Sequence, residues 1–233
     1  TGEDANTPAE ALVSFDPETA DSFELGAKLA FAERRIFVNA ATYYTLYENL
    51  QTNQFVSPGP GMPPDNFVFN AANGTRAYGL ELDVHARLTE ELTVSGNYAY
   101  SRCEFTGELI IDDDGTDLDG KTCRRTPEHA FGISANYDRP IGNDLVFTAG
   151  GDFQFTGATF FDNPNTELLK FDDETLMNAR IGIRSADRKW EVTAWAKNLT
   201  DELNYTSKLN LFGTIYGTYI PPRTYGVTAR FSF

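Results

Sequence analysis

From Tyr78 to Leu88 the chain alternates without a break. Tyr78, Leu80, Leu82, Val84, Ala86 and Leu88 stand on one side, and Gly79, Glu81, Asp83, His85 and Arg87 on the other. Successive side chains point to opposite faces only in a β-strand, so this spacing gives a strand one apolar and one charged face and does not suit a helix. The same period recurs in about nine segments, 20–31, 36–49, 74–88, 92–108, 129–138, 145–161, 174–185, 189–201 and 222–233. In the seventh, Met177, Ala179, Ile181 and Ile183 oppose Asn178, Arg180, Gly182 and Arg184. With 18 Phe, 11 Tyr and 19 Gly against 2 Met, the residue balance also favours strands and turns over helices.

Connections between the segments alternate between two kinds. Residues 33–35, 89–91, 139–144 and 186–188 are short turns, whereas 51–67, 109–128, 162–173 and 203–222 are long loops. All tight turns therefore fall at one end of the strands and all long loops at the other, the layout of an antiparallel transmembrane β-barrel. Several segments exceed ten residues, longer than the five or six usual in globular strands and enough to cross a bilayer when tilted. Charges on the second face suit a wet lumen. Aromatic residues collect near segment ends, with Phe31, Trp190, Phe231 and Phe233 toward the turns and Tyr43, Tyr44, Tyr47, Tyr98, Tyr100, Phe160 and Phe161 toward the loops. Such rings sit at the two membrane interfaces. A soluble β-sandwich also alternates and stands as the alternative, in which the apolar faces would meet in a dry centre. The sequence holds no apolar run of about 20 residues, so a helical span is excluded.

An excess of 34 Asp and Glu over 19 Lys and Arg repels phosphate backbones, and nucleic acid is not expected as a partner. Cys103 and Cys123 bracket a polar segment and fit one loop-closing disulfide in an oxidising compartment, two buried thiols being the other reading. Between them, Asp112, Asp113, Asp114, Asp117 and Asp119 offer hard oxygen ligands without the spacing of an EF-hand, which leaves a self-repelling solvated loop as the simpler reading. His85 and His129 lie on different strands, and His85 shares its face with Glu81, Asp83 and Arg87. One histidine beside carboxylates on a wet wall reads as a solvated hydrogen-bonding group. With no metal set, cofactor fingerprint or nucleophile–base arrangement in the sequence, an enzyme is not expected. Residues 1–18 read as a polar loop with no targeting segment, as though processing or truncation had removed what came before.

"NAATYYTLYENLQ" (39–51), "NGTRAYGLELDVHARLTEELTVSGNYAYSRCEFTG" (73–107), "GKTCRRTPEHAFGISANYD" (120–138), "KNLTDELNY" (197–205) and "PPRTYGVTARFSF" (221–233) resemble, in that order, successive stretches near the C-terminus of TonB-dependent outer-membrane receptors. The resemblance implies an all-β barrel of about 22 strands whose lumen is filled by an N-terminal plug domain. Residues 1–233 would then be its C-terminal strands and extracellular loops, with the plug and the TonB-engaging box elsewhere in a parent polypeptide. Its place would be the bacterial outer membrane. Its partners would be outer-membrane lipid, the remainder of the barrel and plug, TonB through the missing N-terminal part, and the barrel-assembly machinery.

The implied function is energised import of a scarce nutrient such as an iron chelate, a cobalamin-like cofactor or a glycan. A passive porin-like or adhesive barrel is the alternative, and a soluble β-sandwich binding module a third. In this family ligands enter from the extracellular side past loop aromatics, which points to Tyr205, Phe212, Tyr216 and Tyr219 as ligand contacts, although interfacial anchoring explains these rings equally well. The last strand is expected to set Tyr225, Val227, Ala229, Phe231 and Phe233 toward lipid. Thr224, Gly226, Phe231 and Phe233 resemble the C-terminal signal read by the assembly machinery, a signal received by strand pairing.

Overall fold

Because alternation is the dominant pattern, the chain builds strands almost throughout. The computed structural model describes residues 16–56, 65–71, 74–106, 117–211 and 214–232. In chain order the strands are β1 (Thr19–Phe31), β2 (Ile36–Glu48), β3 (Leu50–Val56), β4 (Asp65–Ala71), β5 (Thr75–Arg87), β6 (Leu92–Phe105), β7 (His129–Ile141) and β8 (Leu145–Thr156). There follow β9 (Thr159–Phe160), β10 (Lys170–Phe171), β11 (Glu174–Ser185), β12 (Trp190–Lys197), β13 (Tyr205–Leu211), β14 (Thr214–Tyr219) and β15 (Thr224–Phe231). A 3₁₀ turn, Glu167–Leu169, precedes β10.

Nine of these strands form one antiparallel sheet in the order β1-β2-β5-β6-β7-β8-β11-β12-β15, so every strand lies beside the next long strand in the chain. The other six pair off as β3–β4, β9–β10 and β13–β14, all within the long connections. Nine strands at nearly the expected positions agree with the periodicity. The loop hairpins do not follow from it, and β8 stops at Thr156, with β9 a separate short strand. At the other end the turns are tight. The first uses left-handed backbone at Ala32, Glu33 and Arg34, and the third places Gly142 at φ 64°, a conformation that costs glycine little.

Register carries the two-faced pattern from strand to strand. Leu29, Val38, Val84 and Gly96 lie in one row with Ile133, and Leu25, Thr42, Leu80, Tyr100 and His129 in another. Further along the sheet Phe147, Ile183, Val192 and Ala229 align. A one-residue slip in any pair would turn a whole strand's apolar set to the wrong side, so this continuity specifies the pairing. Among the described residues nothing covers the apolar face: Leu80 is 44% exposed, Ile181 53% and Phe231 65%. That excludes the sandwich arrangement, in which these side chains would meet one another. Among the described residues a small dry cluster lies at the loop end, where Phe105 and Leu118 pack with Leu50 and Cys123.

On the polar face, large side chains recline on the neighbouring strand where that strand has glycine. Tyr43 pairs with Gly79, Arg180 with Gly150, and Trp195 with Gly226. A β-carbon would come to 2.7 Å from the Tyr43 hydroxyl, 2.8 Å from the Arg180 guanidinium carbon and 2.6 Å from the Trp195 ring, respectively. Tyr43 and Tyr47 thus belong to the polar face while Tyr44 belongs to the apolar one, which divides the aromatic group anticipated at the loop end.

Candidate functional site

The long connections are tied down at their bases by side chains that replace missing backbone partners. Asn198, 5% exposed, donates through Nδ2 to the carbonyls of Glu202 at 2.9 Å and Pro221 at 3.1 Å, and its Oδ1 accepts from the Glu202 amide at 2.8 Å. Both ends of the loop carrying β13 and β14 are held in this way. Asn165 joins two other loops, accepting from the Thr122 amide at 2.8 Å and donating to the Thr122 carbonyl at 2.9 Å. The disulfide Cys103–Cys123, with Cα atoms 5.3 Å apart, fastens the segment between β6 and β7 to the top of β6. Of the acidic run, Asp117 and Asp119 are described, and Asp112, Asp113 and Asp114 lie outside the described residues.

On this base stands a cluster of rings and cations. Tyr205 and Tyr219 face each other across the β13–β14 hairpin, rings stacked at 4.3 Å and hydroxyls 2.7 Å apart. Lys208 lies 4.7 Å from the Tyr205 ring centre and 5.7 Å from that of Phe171, and Arg125 lies 4.6 Å over Phe161. A cleft of about 170 Å³ opens here between Arg125, Phe171, Glu174, Asn204 and Tyr205. The cleft is lined by the rings of Phe171 and Tyr205, one cation, Arg125, and the carboxylates of Asp172 and Glu174, so it presents aromatic faces and charges of both signs to a ligand. Of the four expected ligand contacts, Tyr205 and Tyr219 come together. Tyr216 pairs with Leu209 farther along the hairpin, and Phe212 lies outside the described residues. Lys208 and Arg125 were not singled out by sequence; for Lys208 the available signal was its place among aromatics in a long loop.

Midway down the polar face a second hollow, about 370 Å³, is lined by Asn39, Asp83, His85, Asn97, Asp152 and Gln154 among others. His85 Nδ1 lies 2.9 Å from the Ser95 hydroxyl, a wall hydrogen bond of the kind anticipated. Farther along, Arg184 bridges to Asp138 at 3.1 Å. Among the described residues no group of three or more His, Cys, Asp or Glu side chains converges as a metal site. Thr224 and Gly226 lie on the polar face of β15 and Phe231 on its apolar face beside Trp190; Phe233 lies outside the described residues.

The sequence profile of the family described as TonB dependent receptor-like, beta-barrel matches residues 2–199. The chain belongs to this family. It is 27% identical over 231 residues to the ferrichrome outer membrane transporter/phage receptor of Escherichia coli K12, covering 94% of this chain and 27% of that protein. It is 24% identical over 220 residues to the catecholate siderophore receptor Fiu of the same strain, with 94% and 26% covered. Among solved structures, the ferric yersiniabactin uptake receptor FyuA from Yersinia pestis superposes with a TM-score of 0.75 at 21% identity, over 94% of this chain and 30% of that one. The copper transporter OprC superposes at 0.68 with 15% identity, over 94% and 32%. The chain therefore spans about a quarter to a third of the length of these relatives. As a TonB-dependent receptor barrel segment it resides in the outer membrane.

Proposed function

We propose that these residues are the C-terminal wall of a receptor that imports a metal chelate across the outer membrane with energy delivered through TonB. The observation that carries the reading is the continuous two-faced sheet of a TonB-dependent receptor barrel, topped by rings and cations around an open cleft. The apolar face of the nine strands would meet lipid and the polar face the lumen and its plug. Among the described residues β1 and β15 are each paired on one side only. Unpaired backbone groups cost several kcal/mol each in hydrocarbon, so both edges call for further strands of the same barrel.

Relatives named for ferrichrome, catecholate siderophores, yersiniabactin and copper make a metal or its chelate the favoured cargo class. Tyr205 and Tyr219, with Tyr216 and Phe212 farther along the same loop, would form part of its first contact. Thr224, Gly226, Phe231 and Phe233 would supply the strand pattern read by the assembly machinery.

The test is accumulation of labelled ferric chelates by iron-starved cells carrying the full receptor, with and without TonB. Uptake that ends when TonB is removed is expected, whereas uptake that continues would assign a passive channel. Within the receptor, Tyr205→Ala should raise the half-saturating chelate concentration on the order of tenfold, the equivalent of one lost aromatic contact.

A further inference from the structure

Arg76, Arg102 and Glu104 form a charged cluster on the apolar face, at the loop end of β5 and β6. Register fixes their place: Arg76 pairs with Glu104, Tyr78 with Arg102, and Leu80 with Tyr100. The row toward the turns pairs Leu82 with Tyr98. The cluster thus stands directly above a band of tyrosines on the same face, in which Tyr44 stacks on Tyr78 at 6.3 Å and Tyr78 lies 6.5 Å from Tyr100. Tyrosine belts mark the depth at which hydrocarbon gives way to headgroups.

Within the cluster the carboxylate is the hidden member. The Glu104 side chain is 8% exposed, and both arginine side chains are 45% exposed. Arg76 donates to Glu104 Oε1 through Nε and Nη2, and Arg102 donates to Oε2 through Nε at 3.1 Å. Glu104 therefore anchors two guanidiniums and neutralises one. Each guanidinium carries five N–H donors, and most of these are not spent on Glu104. The cluster keeps one net positive charge at the headgroup level. Below Arg76 runs a groove of about 590 Å³ lined on this face by Thr42, Tyr44, Tyr78, Leu80 and Tyr100.

We infer that this is a binding site for a phosphorylated glycolipid of the outer leaflet. Arg76 and Arg102 would bind the phosphate oxygens while the sugar and upper acyl chain lie in the tyrosine groove. The inference rests on the proposed reading of this face as the one toward lipid. Three features single out the ligand. Paired guanidiniums match phosphate geometry with several donors at once. The groove continues into the lipid-facing surface, so an occupant with hydrocarbon tails needs no separate pocket. A basic group at headgroup depth also attracts anionic lipid from within its own leaflet. Glu104 makes the arginines a prearranged fork, since two unpaired guanidiniums side by side would repel each other and splay.

The test uses the full receptor in detergent micelles and native mass spectrometry, with purified bisphosphorylated lipid A, its enzymatically dephosphorylated form and phosphatidylglycerol as probes. Removing the arginines alone would strand the Glu104 carboxylate, so the variant carries Arg76→Gln, Arg102→Gln and Glu104→Gln together. Heat-dependent gel mobility is recorded first for both proteins. A receptor that shows no such mobility contradicts the barrel itself, whereas a folded receptor tests the lipid site alone. If the triple variant fails to fold, Arg102→Gln alone takes its place, because Arg76 still pairs with Glu104.

The expected result is retention of bisphosphorylated lipid A by the natural receptor, reduced about tenfold in the variant, consistent with loss of one charge-assisted hydrogen bond. Retention of the dephosphorylated form should match that of the variant. Equal retention of both forms of lipid A, equal retention by the folded variant, or displacement by equimolar phosphatidylglycerol would each overturn the assignment.

Discussion

Trp195 lies flat over Gly226, directly opposite it in the β12–β15 pair, with its Nε1–H donating to the Thr228 hydroxyl at 3.0 Å. Gly226 therefore has a packing role as well as its place in the proposed assembly pattern. Gly226→Val in the full receptor should destabilise the β15 edge by about 1–3 kcal/mol, the usual cost of overpacking. Trp195→Ala added to it should recover much of the loss. Denaturant midpoints for the single and double variants check this; an unchanged midpoint in Gly226→Val would refute the packing explanation.

The disulfide closes a segment of sequence separation 20, for which chain entropy predicts about 3 kcal/mol of restraint on the open state. Beside it the Phe105 amide donates to the Lys121 carbonyl at 3.0 Å and the Cys123 amide to the Cys103 carbonyl at 2.9 Å. Cys103→Ser with Cys123→Ser should speed hydrogen exchange of these two amides about a hundredfold while strand amides in β7 and β8 stay protected. Equal protection with and without the bridge would mean that the Phe105–Leu118 cluster holds the loop alone.

Asp187, in the tight turn after β11, is pulled down to a pKa of about 2, first by the Ser185 side chain and then by the backbone amide and ammonium of Lys189. Its carboxylate is bound in the folded turn and free in the unfolded one, so the folded value lies below the unfolded value near 4. The turn's gain is therefore complete above about pH 4 and disappears as pH falls through about 2. A carbon-detected titration of the Asp187 carboxyl should show the low midpoint, and Ser185→Ala should move it upward. A midpoint near 4 in the natural protein would contradict the hydrogen bonding.

Tyr205 titrates above the ordinary phenol range, chiefly because its hydroxyl is shared with Tyr219. A raised folded pKa means the pair's stabilisation is present below about pH 10 and lost as pH rises through the Tyr205 value. Tyr219→Phe should lower that value, read as tyrosinate absorbance appearing at lower pH. No difference between the two proteins would mean that the hydroxyls do not share a proton in solution.

How far the fold could be read in advance follows from what period two encodes. Alternation through Leu80, Leu82 and Val84, or Ile181 and Ile183, specifies strand and face together, and the tight turns fix which strands are neighbours. The β13–β14 hairpin was hidden because its ladder shifts register between Tyr205 and Ser207, which breaks the alternation a strand should show. The Arg76–Glu104 contact joins residues 28 apart and exists only once β5 and β6 are in register. Adjacent Tyr43 and Tyr44 point to opposite faces of a strand, so their division between the two faces is legible from parity alone. At the loop cluster, the stacking of Tyr205 on Tyr219 and the placing of Lys208 over Tyr205 depend on loop packing that sequence spacing does not encode.

Because Tyr43, Arg180 and Trp195 recline on glycines of the next strand, the wall carries bulky hydrogen-bonding groups without narrowing the bore. Enlarging Gly150 or Gly226 should push Arg180 or Trp195 away from the wall, whereas a β-carbon at Gly79 would first meet the Tyr100 carbonyl, so clearance beside the polar face depends on residues that have no side chain at all.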